Sequence, residues 1–414
     1  MKTNASRSGV VARTSVRGPL PLLGPAFVAA IAYVDPGNFA TNVSAGSLFG
    51  YLLVWVVVAG NLMAMLIQYL SAKAGIASGK NLAELCRDHF PRPVSRGLWV
   101  QAEVVVIATD VAEVLGGALA LKLLFGVPLF AGGVITSVVA FGLLVFQNRG
   151  HRPYESVITA LLAVILLGFL YNLLLSGVDP GGLANGVIPR FEGTDSLLLA
   201  AGMLGATVMP HAIYLHGALT QDRYVRTTPA DRHALLRSQR IDVVAAMAIA
   251  GLVNLSMLLV AARVLSDEAD PVDTIEGAHA GLSDALGPAA ALLFALALLA
   301  SGFASTSVGT YSGQVVMQGF LRRRIPITLR RVVTLMPALV VLALEVDTTQ
   351  ALVISQVVLS FGIPFALVPL VLLTRRRDVM GGLVNRRLTT GIATVVAALI
   401  ITMNVALIWL TFTG

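Results

Sequence analysis

The chain is poor in charge, almost without cysteine, and lacks any long polar segment. Asp, Glu, Lys and Arg make up 12% of its 414 residues, about half the roughly 25% of a soluble globular domain. That is too little polar surface to cover an apolar content of 56%, so water is excluded as the main solvent. The single cysteine, Cys86, excludes an intramolecular disulfide framework and a thiolate metal cluster, and reads as incidental in a polar connecting segment. Basic residues outnumber acidic ones, 29 to 22, but they are scattered between apolar runs and do not cluster with aromatics, which excludes a nucleic-acid surface. No Ser-rich, Pro-rich or repeat-bearing soluble segment interrupts the pattern. No His-Glu-x-x-His pair and no identifiable hydrolase triad points to an enzyme.

What the chain does have is long runs free of charge. A spanning helix needs about 20 apolar residues, and the runs divide into helices near 21–46, 50–75, 97–124, 128–147, 153–177, 196–220, 240–264, 284–316, 328–345, 350–374 and 389–412. The expected class is an all-α polytopic membrane protein with eleven transmembrane helices in a cell membrane. With the N-terminus inside, 26 of the 29 basic residues fall on inner segments, leaving only Lys122, Arg190 and Arg263 outside. One missed or extra helix would invert every later loop and destroy that asymmetry. The tail at 1–19 is therefore cytoplasmic and the C-terminus extracytoplasmic. A cleavable signal peptide over the first forty residues is disfavoured, because its apolar run continues into Asp35-Pro36-Gly37-Asn38. The connectors 178–195, 221–239 and 265–283 read as loops.

Two spans carry helix breakers at their centres. The first contains Asp35-Pro36-Gly37-Asn38 and the sixth Met209-Pro210-His211, with the two prolines 174 residues apart. Proline removes a backbone hydrogen bond and clashes with the preceding turn. Carbonyls freed at membrane depth are tolerated only where they line a cavity or a ligand site. Breaks at matching positions of two five-helix halves, 20–178 and 196–374, point to an inverted-repeat secondary transporter with its site at the midplane, followed by an additional helix at 389–412.

Asp35 and Asn38 offer hard oxygen donors, unwound carbonyls near Ala206 add another, and Met209 offers a soft thioether. Sodium or magnesium gains nothing from sulfur, whereas manganese, iron and heavier divalent ions accept the mixed set. His211 and His216 are five apart, about 140° around a helix, and poorly placed to share one ion. In the third span Glu103, Asp110 and Glu113 lie within an arc of about 80°. Carboxylates at that depth are costly and suggest a proton relay or ion-pair partners, with Arg330 and Arg331 as candidates; a purely structural pairing remains the alternative.

These motifs resemble those of the Nramp (natural resistance-associated macrophage protein) divalent metal transporters, over about residues 20–412 and including Arg330-Arg331 and Ser355-Gln356-Val357. The resemblance implies a LeuT-like 5+5 inverted repeat with broken first and sixth helices and proton-linked uptake of Mn²⁺ or Fe²⁺. It implies Asp35, Asn38, Met209, the Ala206 carbonyl and Gln356 as metal ligands. It further implies a proton route through Asp35, Glu113, His211 and His216, continuing along Asp110 with Arg331 and Glu103 with Arg330. Relatives that carry magnesium or aluminium lack the methionine, which is present here. Ala212 stands where many relatives have asparagine. No cofactor, nucleic acid or obligatory protein partner is expected; the partners are the metal ion, the proton and the lipid bilayer. Two other readings stay open at this point: a LeuT-like symporter of small organic solutes, against which Asp35 would repel a substrate carboxylate, and a passive divalent-cation channel.

Overall fold

A computed structural model describes residues 24–148, 151–224, 229–266, 272, 274–322, 327–344 and 346–413. Among them every regular element is helical. A short helix α1 (Pro25–Ile31) passes through a 3-10 turn at Ala32–Val34 into α2 (Pro36–Phe49). Then come α3 (Val54–Ser78), α4 (Leu82–His89), α5 (Arg92–Phe125), α6 (Leu129–Asn148), α7 (His151–Ser176) and α8 (Pro180–Gly186). A second interrupted pair, α9 (Gly193–Thr207) and α10 (Pro210–Tyr224), precedes α11 (Pro229–Val264), α12 (Ile275–Leu286), α13 (Pro288–Leu321), α14 (Ile327–Ala343) and α15 (Thr348–Thr374). The turn-sized α16 (Arg377–Met380) and the long α17 (Arg387–Thr413) complete the order.

Eight segments among the described residues are long and apolar enough to cross a bilayer, with shorter apolar helices at Pro25–Val34, Leu129–Leu143 and Val333–Ala343. The distribution of polarity is the reverse of a soluble bundle. Leu167, Leu174, Val138, Val395 and Trp409 point outward and are exposed, while Asp35, Asn38, Gln68, Asp110, Glu113, His211 and Gln356 are buried. Such a surface is stable only against hydrocarbon.

The connectors depart from the loop expectation. Within 178–195, Asp179 accepts from Gly181 N and Gly182 N and starts α8 at Pro180. Within 265–283, Thr274 Oγ1 accepts from Gly277 N at 3.1 Å, and α12 buries Ile275, Ala278 and Leu282 at helical spacing. The segment 221–239 already contains the start of α11. Asn81 and Glu84 form a capping box that opens α4, and this helix buries Cys86 completely. Burial pushes the Cys86 thiol well above its ordinary range. Side-chain caps and a three-to-four residue apolar period outweigh loop polarity at each of these places.

Small residues set the closest helix approach. A Cβ on Gly302 of α13 would lie 2.7 Å from the Gly117 Cα of α5, and one on Gly309 would press on the Glu113 carboxylate. Packing of this kind replaces the hydrophobic drive that lipid cannot supply. The aromatic triad of Phe39, Phe169 and Phe294, with edge-to-face centroid distances of 5.1 to 6.0 Å, anchors α2 against α7 and α13.

Candidate metal-binding site

Each helix interruption leaves main-chain carbonyls without their helical donors. In the second pair, Ala206 O would normally receive the N–H four residues on, but that residue is Pro210. Helix α9 ends at Thr207, and the Ala206 carbonyl instead accepts from Asn38 Nδ2 at 3.0 Å. In the first pair, Pro36 starts α2 at its favoured first position and Asp35 is its N-cap, accepting from Asn38 N at 2.9 Å. The carbonyls left behind at Tyr33 and Val34 are taken by side chains of other helices. Asn254 Nδ2 of α11 donates to Tyr33 O at 2.8 Å, and Ser301 Oγ of α13 donates to Val34 O at 2.6 Å.

The two interruptions meet at Asn38. Its amide donates to Asp35 Oδ1 at 2.7 Å as well as to Ala206 O. Gln356 Nε2, from α15, reaches Asp35 Oδ2 at 3.3 Å. Glycines make this approach possible: a Cβ on Gly37 would overlap the Gln356 amide, and one on Gly205 would overlap the Gln356 main-chain oxygen. Asp35, Asn38, Ala206, Met209 and Gln356 are all fully buried. Asn38 Oδ1 and Gln356 Oε1 are buried without a hydrogen-bond partner, an expensive arrangement unless a ligand takes up their lone pairs. The donors thus comprise one carboxylate, two amide oxygens and a main-chain carbonyl, with the Met209 thioether at the second interruption. This set fits a divalent transition metal and wastes its sulfur on a hard ion. Among the described residues no group of three His, Cys, Asp or Glu could hold a metal.

The other sequence-predicted residues divide between two neighbourhoods. His211 Nδ1 lies 3.2 Å from Thr109 Oγ1 on α5, and Thr109 itself donates to Val105 O at 3.0 Å. Glu113 is one turn beyond Thr109. One more turn brings Gly116, where a Cβ would overlap the Pro36 ring, so this face of α5 runs between the two interruptions. Asp110 and Glu113 are buried, whereas Glu103 is partly exposed and accepts from Trp99 Nε1 at 3.2 Å. By helical rise, Glu103 and Glu113 are about 15 Å apart along α5. The tail 1–19 and the side chains of Arg330 and Arg331 lie outside the described residues. His216 belongs to the second neighbourhood. Its Nδ1 lies 2.8 Å from Gln68 Oε1, and Gln68 Nε2 donates to the Tyr33 hydroxyl. Sequence reasoning passes over Tyr33, Gln68, Thr109, Asn254 and Ser301. The available signal was an amide in a mostly apolar run, as at Gln68 in α3 and Asn254 in α11.

The two ends of this buried region differ. At the face carrying Gly24, the Asp242 carboxylate of α11 accepts from Gly24 N at 3.1 Å and Ala26 N at 3.0 Å, holding the start of α1. At the face carrying Gly50, a cavity of about 680 Å³ lies over the ends of α2, α9 and α15, with Ser44, Asp195, Thr274, Asp347 and Gln350 among its lining. Ser44 is six residues from Asn38, so about 9 Å of α2 separates the cavity from the site.

A bundle with lipid-facing apolar walls and its polar groups gathered at two interrupted helices is the architecture of a multi-pass membrane transporter. The sequence matches the natural resistance-associated macrophage protein-like family over residues 26–410, and the chain belongs to this Nramp family. It is 54% identical over 404 residues to the divalent metal cation transporter MntH of Mycobacterium tuberculosis, covering 97% of this chain and 94% of that one. Identity to MntH of Deinococcus radiodurans is 50% over 409 residues, with 99% and 94% coverage. In three dimensions it resembles the manganese transporter of Eremococcus coleocola, with a TM-score of 0.85 at 33% identity, covering 97% of this chain and 90% of that one. Mhp1, a nucleobase-cation-symport-1 family transporter, shares the fold, with a TM-score of 0.62 at 17% identity over 94% of this chain and 92% of its own.

Proposed function

We propose that the chain is a proton-coupled importer of Mn²⁺ and Fe²⁺ that works by alternating access across eleven spans. The three shorter apolar helices join the eight long ones in that count, and the two interrupted pairs stand at corresponding places of inverted halves. The observation that carries the reading is the Asn38 amide bridging the Asp35 carboxylate to the Ala206 carbonyl, which joins both interruptions at one buried point. Met209 and Gln356 complete the metal ligands. The names of the relatives, divalent metal cation transporter and manganese transporter, support the substrate class over an organic solute.

In this scheme the N-terminus and the face carrying Gly24 are cytoplasmic. Contacts between segment ends agree with this grouping of segments into two faces, since Lys122 pairs with Glu276 at 3.3 Å, both on outer segments, and Gln221 donates to Glu84 at 3.0 Å, both on inner ones; the sidedness itself rests on the placement of the basic residues. Asp195 and Asp347 give the outer cavity a cation-attracting lining. A metal ion passing from it displaces the Asn38 and Gln356 hydrogen bonds from Asp35, which ionises as the ion binds. The released proton passes by His211 and Glu113 and leaves along Asp110 with Arg331 and Glu103 with Arg330. Inward opening then requires the Asp242 cap on α1 and the Tyr33, Gln68 and His216 chain to part.

Reconstituted protein tests the proposal directly. Proteoliposomes with an acidic exterior should accumulate Mn²⁺ above the external concentration, and a pH dye inside should report acidification when Mn²⁺ is added. Accumulation that ignores the proton gradient would overturn the coupling, and fast equilibration without accumulation would favour a channel.

A further inference from the structure

Three cationic residues from separate elements, nearly buried Lys73 and exposed Arg240 and Arg386, share one neighbourhood where α3, α11 and the connector ahead of α17 come together. Lys73 of α3 is only 7% exposed, and its ammonium donates to one neutral acceptor, Asn385 Oδ1, at 2.7 Å. That acceptor is fixed in turn, because Asn385 Nδ2 donates to Thr374 Oγ1 at 2.8 Å and its main-chain N–H to Thr374 O at 3.1 Å. One turn before Lys73, Tyr69 carries the Arg240 guanidinium of α11 over its ring at 5.3 Å. Arg240 and Arg386 both lie within electrostatic reach of Lys73. None of the three cations forms an ion pair with a described carboxylate. Gathering like charges around a nearly buried ammonium is unfavourable unless an anion joins them.

The surroundings select the kind of anion. Ile241 directly after Arg240, and Leu388 two residues after Arg386, are exposed apolar side chains on bilayer-crossing helices. Acyl-chain surface therefore begins where the cations end, the layout by which basic pockets between membrane helices hold anionic headgroups. We propose that Lys73, Arg240 and Arg386 form a binding site for the phosphate of an anionic phospholipid in the cytoplasmic leaflet. The site rests on the membrane orientation given under the proposed function, but not on metal transport. It would tie α3 and α11 to the connector ahead of α17 through a shared lipid.

Native mass spectrometry of the detergent-solubilised full chain, titrated with phosphatidylglycerol or phosphatidylcholine, tests the site. The wild type should retain phosphatidylglycerol preferentially. Arg240→Gln and Arg386→Gln should each weaken that preference about fivefold, while Arg240→Lys and Arg386→Lys should largely keep it. Should Arg240→Gln fail to elute as folded protein, Arg386→Gln, on the connector, carries the comparison alone. Equal retention of the two lipids by the wild type, or an undiminished preference in folded Arg386→Gln, would overturn the proposal. Displacement of the lipid by millimolar inorganic phosphate would overturn the lipid assignment in favour of a free anion. Mn²⁺ uptake measured on the same preparations separates the two ideas: uptake without lipid preference defeats the lipid site alone, and lipid preference without uptake defeats the transport reading alone.

Discussion

Ser301→Ala removes the hydroxyl that holds Val34 O at 2.6 Å, in a place where both residues are fully buried. The carbonyl is left without a donor in the docked arrangement, at a cost of about 1–3 kcal/mol. Because α1 leads directly into this segment, the cost falls on the closed position of α1 and is relieved when the segment swings toward water. The equilibrium should therefore shift toward an open cytoplasmic side by roughly 5- to 150-fold. Val28, buried on α1, provides the reporter: a Val28→Cys side chain should react with a membrane-impermeant maleimide at a rate that tracks the open population. Labelling accelerated within that range in the Ser301→Ala background, with Asn254→Ala acting in the same direction on Tyr33 O, is the expected result. An unchanged labelling rate in both backgrounds would show that these donors do not hold the interruption closed, and the reasoning would fail.

Other consequences follow from the same contacts. Met209→Ala should leave Mn²⁺ transport partly active but let Ca²⁺ and Mg²⁺ compete more strongly, because only the soft donor is lost; competition uptake across a divalent series reads this out. Gly205→Ala drives a Cβ into the Gln356 carbonyl and to 2.8 Å from Ser360 N, both main-chain atoms, so it should destabilise the fold by about 1–3 kcal/mol or more. Gly391→Ala, inside α17 and meeting only open space, should instead raise stability by about 0.5–1 kcal/mol; thermal unfolding of the purified variants separates the two. Cys86 should resist maleimide in the native chain and react only on unfolding, since its thiol is buried and its ionisation suppressed; mass spectrometry before and after denaturation decides.

Much of this organisation is legible in the sequence where polarity conflicts with its surroundings. Pro36 and Pro210 mark the interruptions because a missing N–H cannot be hidden in an apolar run, and Asp35 stands out because a carboxylate there is costly. The charge-free runs likewise locate most of the long helices to within several residues, though α11 starts at Pro229, eleven residues before the run read at 240–264. What stays hidden is pairing between distant segments. Nothing around Ser301 announces that its hydroxyl will serve a carbonyl 267 residues away, and serines in apolar helices commonly bond their own backbone, as Ser256 does to Leu252 O. Gln68 is equally unremarkable until Tyr33 and His216 arrive on either side of it. Helix α12 is hidden for another reason: it lies in a polar connector too short to span a bilayer, although Thr274 and the spacing of Ile275, Ala278 and Leu282 describe a capped amphipathic helix.

In the proposed function the two interruptions form one metal site around the Asp35 carboxylate. Calorimetric titration of Mn²⁺ into purified Asp35→Asn tests it most directly, because asparagine keeps the shape and one oxygen but removes the charge. Loss of the carboxylate from the proposed ligand set should weaken binding by at least about thirtyfold relative to wild type. Binding of Mn²⁺ by the folded variant with wild-type affinity would contradict the account.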